Sequence, residues 1–128
     1  MLESHYRPLT DLEKAVLIKL LSVDLPGVEA LRGQIGRSTA QTLDEYGSIE
    51  LKVDSPNRAR FSDGPLVSAT QNDHGTTEGY GPFINVLLFV KNGLLKELQI
   101  YKDDSSKIVN RVDPEKFDVI VDKRLLFG

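Results

Sequence analysis

No cysteine occurs among the 128 residues, so disulfides, thiolate nucleophiles and thiolate-held zinc or iron–sulfur centres are excluded together. Only two histidines are present, His5 and His74, far apart in the chain. No G-x-S-x-G elbow occurs to present a nucleophilic serine, and no G-x-x-x-x-G-K-[ST] loop to cradle phosphate. Gly75, Gly79 and Gly81 precede a strand-like run rather than a helix, so they put no helix N-terminus before an anion. An excess of positive charge is missing as well. Sixteen Lys and Arg against 19 Asp and Glu give a net charge of −3, with no linear basic stripe to mark a nucleic-acid footprint. No apolar run approaches the roughly 18 residues that cross a bilayer. The first residues lack the basic-then-apolar order of a signal peptide, and the expectation is a cytoplasmic protein without membrane contact.

What the chain does contain is organised by residues 82–102. Residues 83–90 read F-I-N-V-L-L-F-V, an apolar run interrupted once by Asn85, which suits a strand covered on both faces. Asn92-Gly93 then separates it from a second strand-like run. These two residues best tolerate the positive φ of a type I′ turn, so an antiparallel hairpin is predicted. Alternation in the second run puts Leu94, Leu98 and Ile100 on one face and Leu95, Glu97, Gln99 and Tyr101 on the other. A lone hairpin is marginal in water, so further strands and a helical cover are required.

Upstream, Thr10 with Glu13 three residues later forms a capping box for a first helix, and Asp11 and Glu13 suit its positive end. Leu12, Ala15, Val16, Leu17, Ile18, Leu20 and Leu21 give that helix a broad apolar face that should be mostly covered. Lys14 and Lys19 are balanced by Asp11 and Glu13, which speaks against a membrane-surface helix. Val28, Leu31 and Ile35 suggest a second helix ending near Gly36. Residues 37–43 alternate weakly, and Asp44-Glu45-Tyr46-Gly47 reads as a turn. Residues 48–53 form a clean strand pattern, with Ile49, Leu51 and Val53 inward and Ser48, Glu50 and Lys52 outward. Residues 58–61 and 66–70 offer further strands, and residues 71–81 one long glycine-rich loop. Residues 108–109 and 117–121 suit short elements, and Leu125-Leu126-Phe127 is apolar enough to dock. The fold expected is a single α+β domain over residues 1–128. Its mostly antiparallel sheet has about five to six strands organised on the 83–101 hairpin, with the N-terminal helices packed on one face.

Chemistry has few places to reside. Asp73 and His74 lie in the long loop, and Glu78, Asp63 and Asp103 are carboxylates able to join them around a cation or as an acid/base pair. Their spacing matches no calcium loop. A small enzyme or ligand-binding module with its site in residues 71–81 is therefore the alternative function. A self-associating protein, using the Ser48-Glu50-Lys52 strand or the Leu125-Leu126-Phe127 tail, is a third. Surface recognition has more support. Asp44-Glu45, Asp54, Asp63, Asp73 and Asp103-Asp104 all fall in turns, with Tyr46, Tyr80 and Tyr101 beside three of them. Tyrosine anchors and steering carboxylates suit a protein interface.

Arg7-Pro8-Leu9-Thr10 with Glu13, Leu43-Asp44 to Gly47-Ser48, Asn72-Asp73-His74-Gly75, and Asn92-Gly93 to Glu97-Leu98-Gln99-Ile100-Tyr101-Lys102 with Asp104-Ser105 together resemble a group of small bacterial proteins. The pattern spans residues 7–106. Members of that group more often carry a second Asp-Gly in the middle loop and a Trp where Tyr101 stands. In type and size the chain is also similar to the immunity proteins of contact-dependent growth inhibition and related polymorphic toxin systems. That resemblance implies a stoichiometric inhibitor that covers the active site of a cognate toxin domain, often a basic nuclease. The function expected is thus a non-catalytic, monomeric binding protein without cofactor or metal, making no direct contact with nucleic acid. Its partner-binding residues would be Asp44, Glu45, Tyr46, Asp73, Tyr80, Tyr101, Asp103 and Asp104.

Overall fold

The capping box read from the sequence starts the first helix. In the structure, a computed structural model that describes residues 6–72, 83–102 and 112–121, helix α1 spans Asp11–Leu20. Thr10 Oγ1 accepts from the Glu13 backbone N–H at 3.1 Å, and the Glu13 carboxylate accepts from Thr10 N–H at 2.9 Å. Just before the cap lies a two-residue strand, β1 (Arg7–Pro8). From it the Arg7 guanidinium donates two hydrogen bonds to Glu13, at 2.8 and 2.9 Å, and one to Thr42 Oγ1 at 2.8 Å. The Arg-Pro-Leu-Thr…Glu motif is a clamp that fixes the start of α1 to the sheet.

Burial alone would push the Glu13 carboxyl up. The Arg7 guanidinium and the Thr10 donors outweigh it and hold the carboxyl below its usual range. A carboxylate whose folded-state pKa is depressed adds stability above its unfolded pKa of about 4.3, and loses it as pH falls through the folded value. Glu13→Gln keeps the capping box but removes the charged pair. It is expected to cost about 1 kcal/mol at pH 7, and the deficit should be smaller near pH 3. Urea titrations of both proteins at the two pH values test this, and a deficit unchanged by acid would show that the charge is unimportant.

Helix α2 (Val28–Ile35) follows, entered through Gly27 at φ +89°. The strands are β2 (Ser38–Thr42), β3 (Ile49–Val53), β4 (Gly64–Asn72), β5 (Phe83–Lys91), β6 (Leu94–Lys102) and β7 (Asp118–Val121), the last preceded by a 3₁₀ turn at Pro114–Lys116. They form one antiparallel sheet in the order β1-β2-β3-β6-β5-β4-β7. Among the described residues the sheet has seven strands, not the five to six expected. β1 is too short to leave an alternating pattern, and its proline is tolerated because β1 is an edge. No strand forms at residues 58–61. That segment is irregular, buries Ala59 and Phe61, and is held by Ala59 N–H to the Gly93 carbonyl at 2.9 Å.

The Asn92-Gly93 turn is as predicted: both residues have positive φ, 54° and 76°, and Lys91 pairs with Leu94 across it. The faces of β6 are not. Phe89 pairs with Glu97 and Val90 with Leu95, so Lys96 is the extra residue of a bulge. Leu95 therefore joins Leu98 and Ile100 on the buried face, and Leu94 turns to the other. Alternation is also cleaner on β5 than expected. Ile84, Val86, Leu88 and Val90 are buried, whereas Phe83, Asn85, Leu87 and Phe89 are only half-buried, so one face is fully covered and not both.

Through the registers, Ala40, Leu51, Ile49, Leu98, Leu88, Val67 and Ala69 share that buried side. They form one cluster with Val16, Leu17, Leu20 and Leu21 from the α1 region and Val28, Leu31 and Ile35 of α2. Ala15 is exposed and Ile18 is 59% exposed, so the covered stripe of α1 is narrower than its apolar content suggests.

Helix α2 is joined to the hairpin by one polar side chain. Gln34 is fully buried; its amide donates to the carbonyls of Asn57 (2.8 Å) and Gly93 (2.9 Å) and accepts from Leu95 N–H (2.9 Å).

Candidate functional site

Strands β3 and β6 meet over only two residue pairs, Ile49↔Leu98 and Glu50↔Glu97. Each end of this short seam opens into a cleft. The first, of about 270 Å³, lies where the β2–β3 turn approaches the end of β6, and Asp44, Ser48, Glu97, Gln99 and Tyr101 are among its walls. Local hydrogen bonds shape it. Asp44 Oδ1 accepts from the backbone N–H groups of Tyr46 (2.8 Å) and Ser48 (3.1 Å), an Asx turn of the kind aspartate favours. Ser48 was expected to point outward, yet it is buried. Its hydroxyl accepts from Ile100 N–H at 2.8 Å and donates to Ile100 O at 3.2 Å, standing in for a ladder bond just past the seam.

Asp44 and Tyr101, assigned to partner binding from the sequence, thus come together on one cleft. Glu45 and Tyr46 lie exposed on the same turn, Tyr46 at 37% and Tyr101 at 45%. Asp73, Tyr80, Asp103 and Asp104 lie outside the described residues, as do His74, Glu78 and the Leu125-Leu126-Phe127 tail. Sequence reasoning did not choose Glu97 or Gln99, although their i, i+2 spacing to Tyr101 on β6 was the available signal.

Glu97 sits directly opposite Glu50, an arrangement that like charges disfavour. Two neighbours relieve it: Gln99 donates to Glu97 at 2.7 Å, and Lys96, turned by the bulge, donates to Glu50 at 2.7 Å. Hydrogen bonds from Lys96 and then from the Tyr6 hydroxyl hold the Glu50 carboxyl below its usual range. Reciprocally, Glu50 holds the Lys96 ammonium above its own. Burial, followed by Glu50, pushes the Tyr6 phenol up.

The second cleft, of about 370 Å³, lies at the other end of the seam, where β3 has parted from β6. Lys52, Arg58, Lys91 and Lys96 are among its walls, and none of the described residues that line it is acidic. These cations come from β3, the irregular 58–61 segment and both arms of the hairpin, so no linear stripe announces them. A third cleft, of about 500 Å³ and mostly apolar, lies between the helices beside Ile18, Arg32 and Ile35.

Comparison with known protein families, curated proteins and solved structures returns no match. Among the described residues, no three His, Cys, Asp or Glu side chains gather to hold a metal, and no helix is long and apolar enough to cross a membrane. The first cleft brings the carboxylates of Asp44 and Glu97 beside the exposed Tyr101.

Proposed function

We propose that this chain is a non-catalytic binding protein that engages a basic protein partner through its acidic, tyrosine-bearing β2–β3 turn and the adjoining end of β6. Its most specific form is an immunity protein that covers and neutralises a cognate bacterial toxin domain, acting as a cytoplasmic monomer. The N-terminal helices would cover one face of the sheet and leave the turn side to the partner. The observation that supports this is the convergence of Asp44, Glu97 and Tyr101 on one cleft, with Glu45 and Tyr46 exposed on the same turn. Exposed tyrosines supply contact area at low entropic cost, and clustered carboxylates steer a basic surface into register.

A panel of purified basic nuclease toxin domains provides the test. One member is expected to form a 1:1 complex and lose its activity, with an association rate that falls at least about tenfold between low and high salt. Glu45→Lys with Glu97→Lys should slow association by a similar factor. Asp44→Asn separates charge from structure, because asparagine retains the oxygen that caps the turn. It should slow association without lowering thermal stability. Binding indifferent to salt and to all three substitutions would place the interface elsewhere.

A further inference from the structure

We infer that the second cleft is an anion-binding pocket that takes the phosphate group of a small phosphorylated molecule. This stands apart from the proposed partner interface, since it uses the opposite end of the seam and ligand charge of the opposite sign. From Leu51 onward β3 keeps its pairing with β2 but loses β6, and the bulged residue Lys96 lies on the gap. Lys52, Arg58, Lys91 and Lys96 line that gap in a chain whose net charge is −3.

Their positions are set by neighbours. The Arg58 guanidinium donates through Nη1 to the Asn92 carbonyl at 2.8 Å, which orients the fork and uses one of its five donors. Lys52 Nζ lies 5.6 Å from the centre of the Tyr6 ring, within cation–π range. Lys96 is neutralised by Glu50. Among the described residues, Lys52, Arg58 and Lys91 have no carboxylate within 4 Å. The nearby acid Asp63 is engaged in accepting from Asn92 N–H at 2.9 Å. Three cations less the one charge of Asp63 leave an excess that matches the one to two negative charges of a phosphate monoester, and an oriented guanidinium suits its geometry.

Leu51, Val53 and Leu94 add apolar wall beside the cations. The cleft's volume is at the small end of ligand pockets. That combination fits a phosphorylated small molecule with an apolar or planar body, rather than a polymer that needs a long charged track.

The test titrates the ¹⁵N-labelled full chain with inorganic phosphate, with a nucleoside monophosphate and with the unphosphorylated nucleoside, at constant ionic strength. Both phosphates should shift the amides of Lys52, Lys91, Asn92 and Lys96, the monophosphate binding at least about tenfold tighter than phosphate alone. Lys91→Gln, an exposed and fold-neutral change, should weaken both by about tenfold; Arg58→Gln should do the same. Equal binding of the nucleoside, shifts scattered over all surface lysines, or no shift at 10 mM (about 100-fold above a 0.1 mM Kd) would each overturn the assignment. A single-stranded oligonucleotide binding more tightly than the mononucleotide would also overturn it, in favour of a polymer track.

Discussion

Gln34→Leu is expected to lower the free energy of unfolding by about 4 kcal/mol, although it replaces a polar core residue with an apolar one of similar bulk. The side chain is fully buried and satisfies three backbone groups separated from it by 23 to 61 residues. Leucine leaves the Leu95 N–H with no acceptor in a dry environment and takes a donor from the Asn57 carbonyl. Only Gly93 O retains a partner, the Ala59 N–H. Each buried orphan costs about 1–3 kcal/mol. Gln34→Glu discriminates between packing and hydrogen bonding. At pH 7 a carboxylate would face two carbonyl oxygens and lose more than leucine does. The buried acid's pKa would be raised above its unfolded value, so its stability is retained at low pH and lost as pH rises; it should recover part of the deficit towards pH 4. Chemical denaturation of the three proteins at both pH values measures this. A leucine variant within about 1 kcal/mol of the parent would mean that water replaces the amide.

Gly93→Ala should be nearly as damaging, on the order of 3–4 kcal/mol, or a Tm lower by roughly 10 °C. Two independent costs combine. At φ +76° an L side chain is strained, and a Cβ here would lie 2.5 Å from the Ala59 carbonyl oxygen and 2.9 Å from Arg58 Cβ. The oxygen is backbone and cannot swing away, so the 58–61 segment must move and weaken the Ala59 N–H to Gly93 O bond. The neighbouring Asn92→Gly is the control. Its φ of 54° suits glycine equally, and it should stay within about 0.5 kcal/mol of the parent. Equal losses at the two positions would attribute the effect to turn conformation alone.

These residues also show where the sequence was informative. The capping box, both helices, the type I′ turn and the strand nature of residues 49–53 follow from local preferences, and local preferences could be read directly. The bulge at Lys96 could not, because one extra residue is invisible until the partner strand counts against it; Leu94 and Leu95 were exchanged as a result. Ser48 and Gln34 were hidden for a related reason. A serine and a glutamine look like surface residues until a distant backbone group claims them. Of the candidate site, the Asp44–Tyr46 turn and Tyr101 were legible as a chemical type. That they meet was not, since it depends on β3 lying beside β6. The basic cleft escaped altogether, being assembled from three separated segments in an acidic chain. The resemblance motifs at Arg7–Glu13 and Leu43–Ser48 mark joints of the architecture: a clamp on α1 and a hydroxyl bridge to β6.

The two-pair seam between β3 and β6 joins β1-β2-β3 to β6-β5-β4-β7, and side chains extend it, Ser48 to the Ile100 backbone and Lys96 to Glu50. The joint between the two halves thus rests on side chains as much as on backbone pairs, and the two clefts lie at its ends.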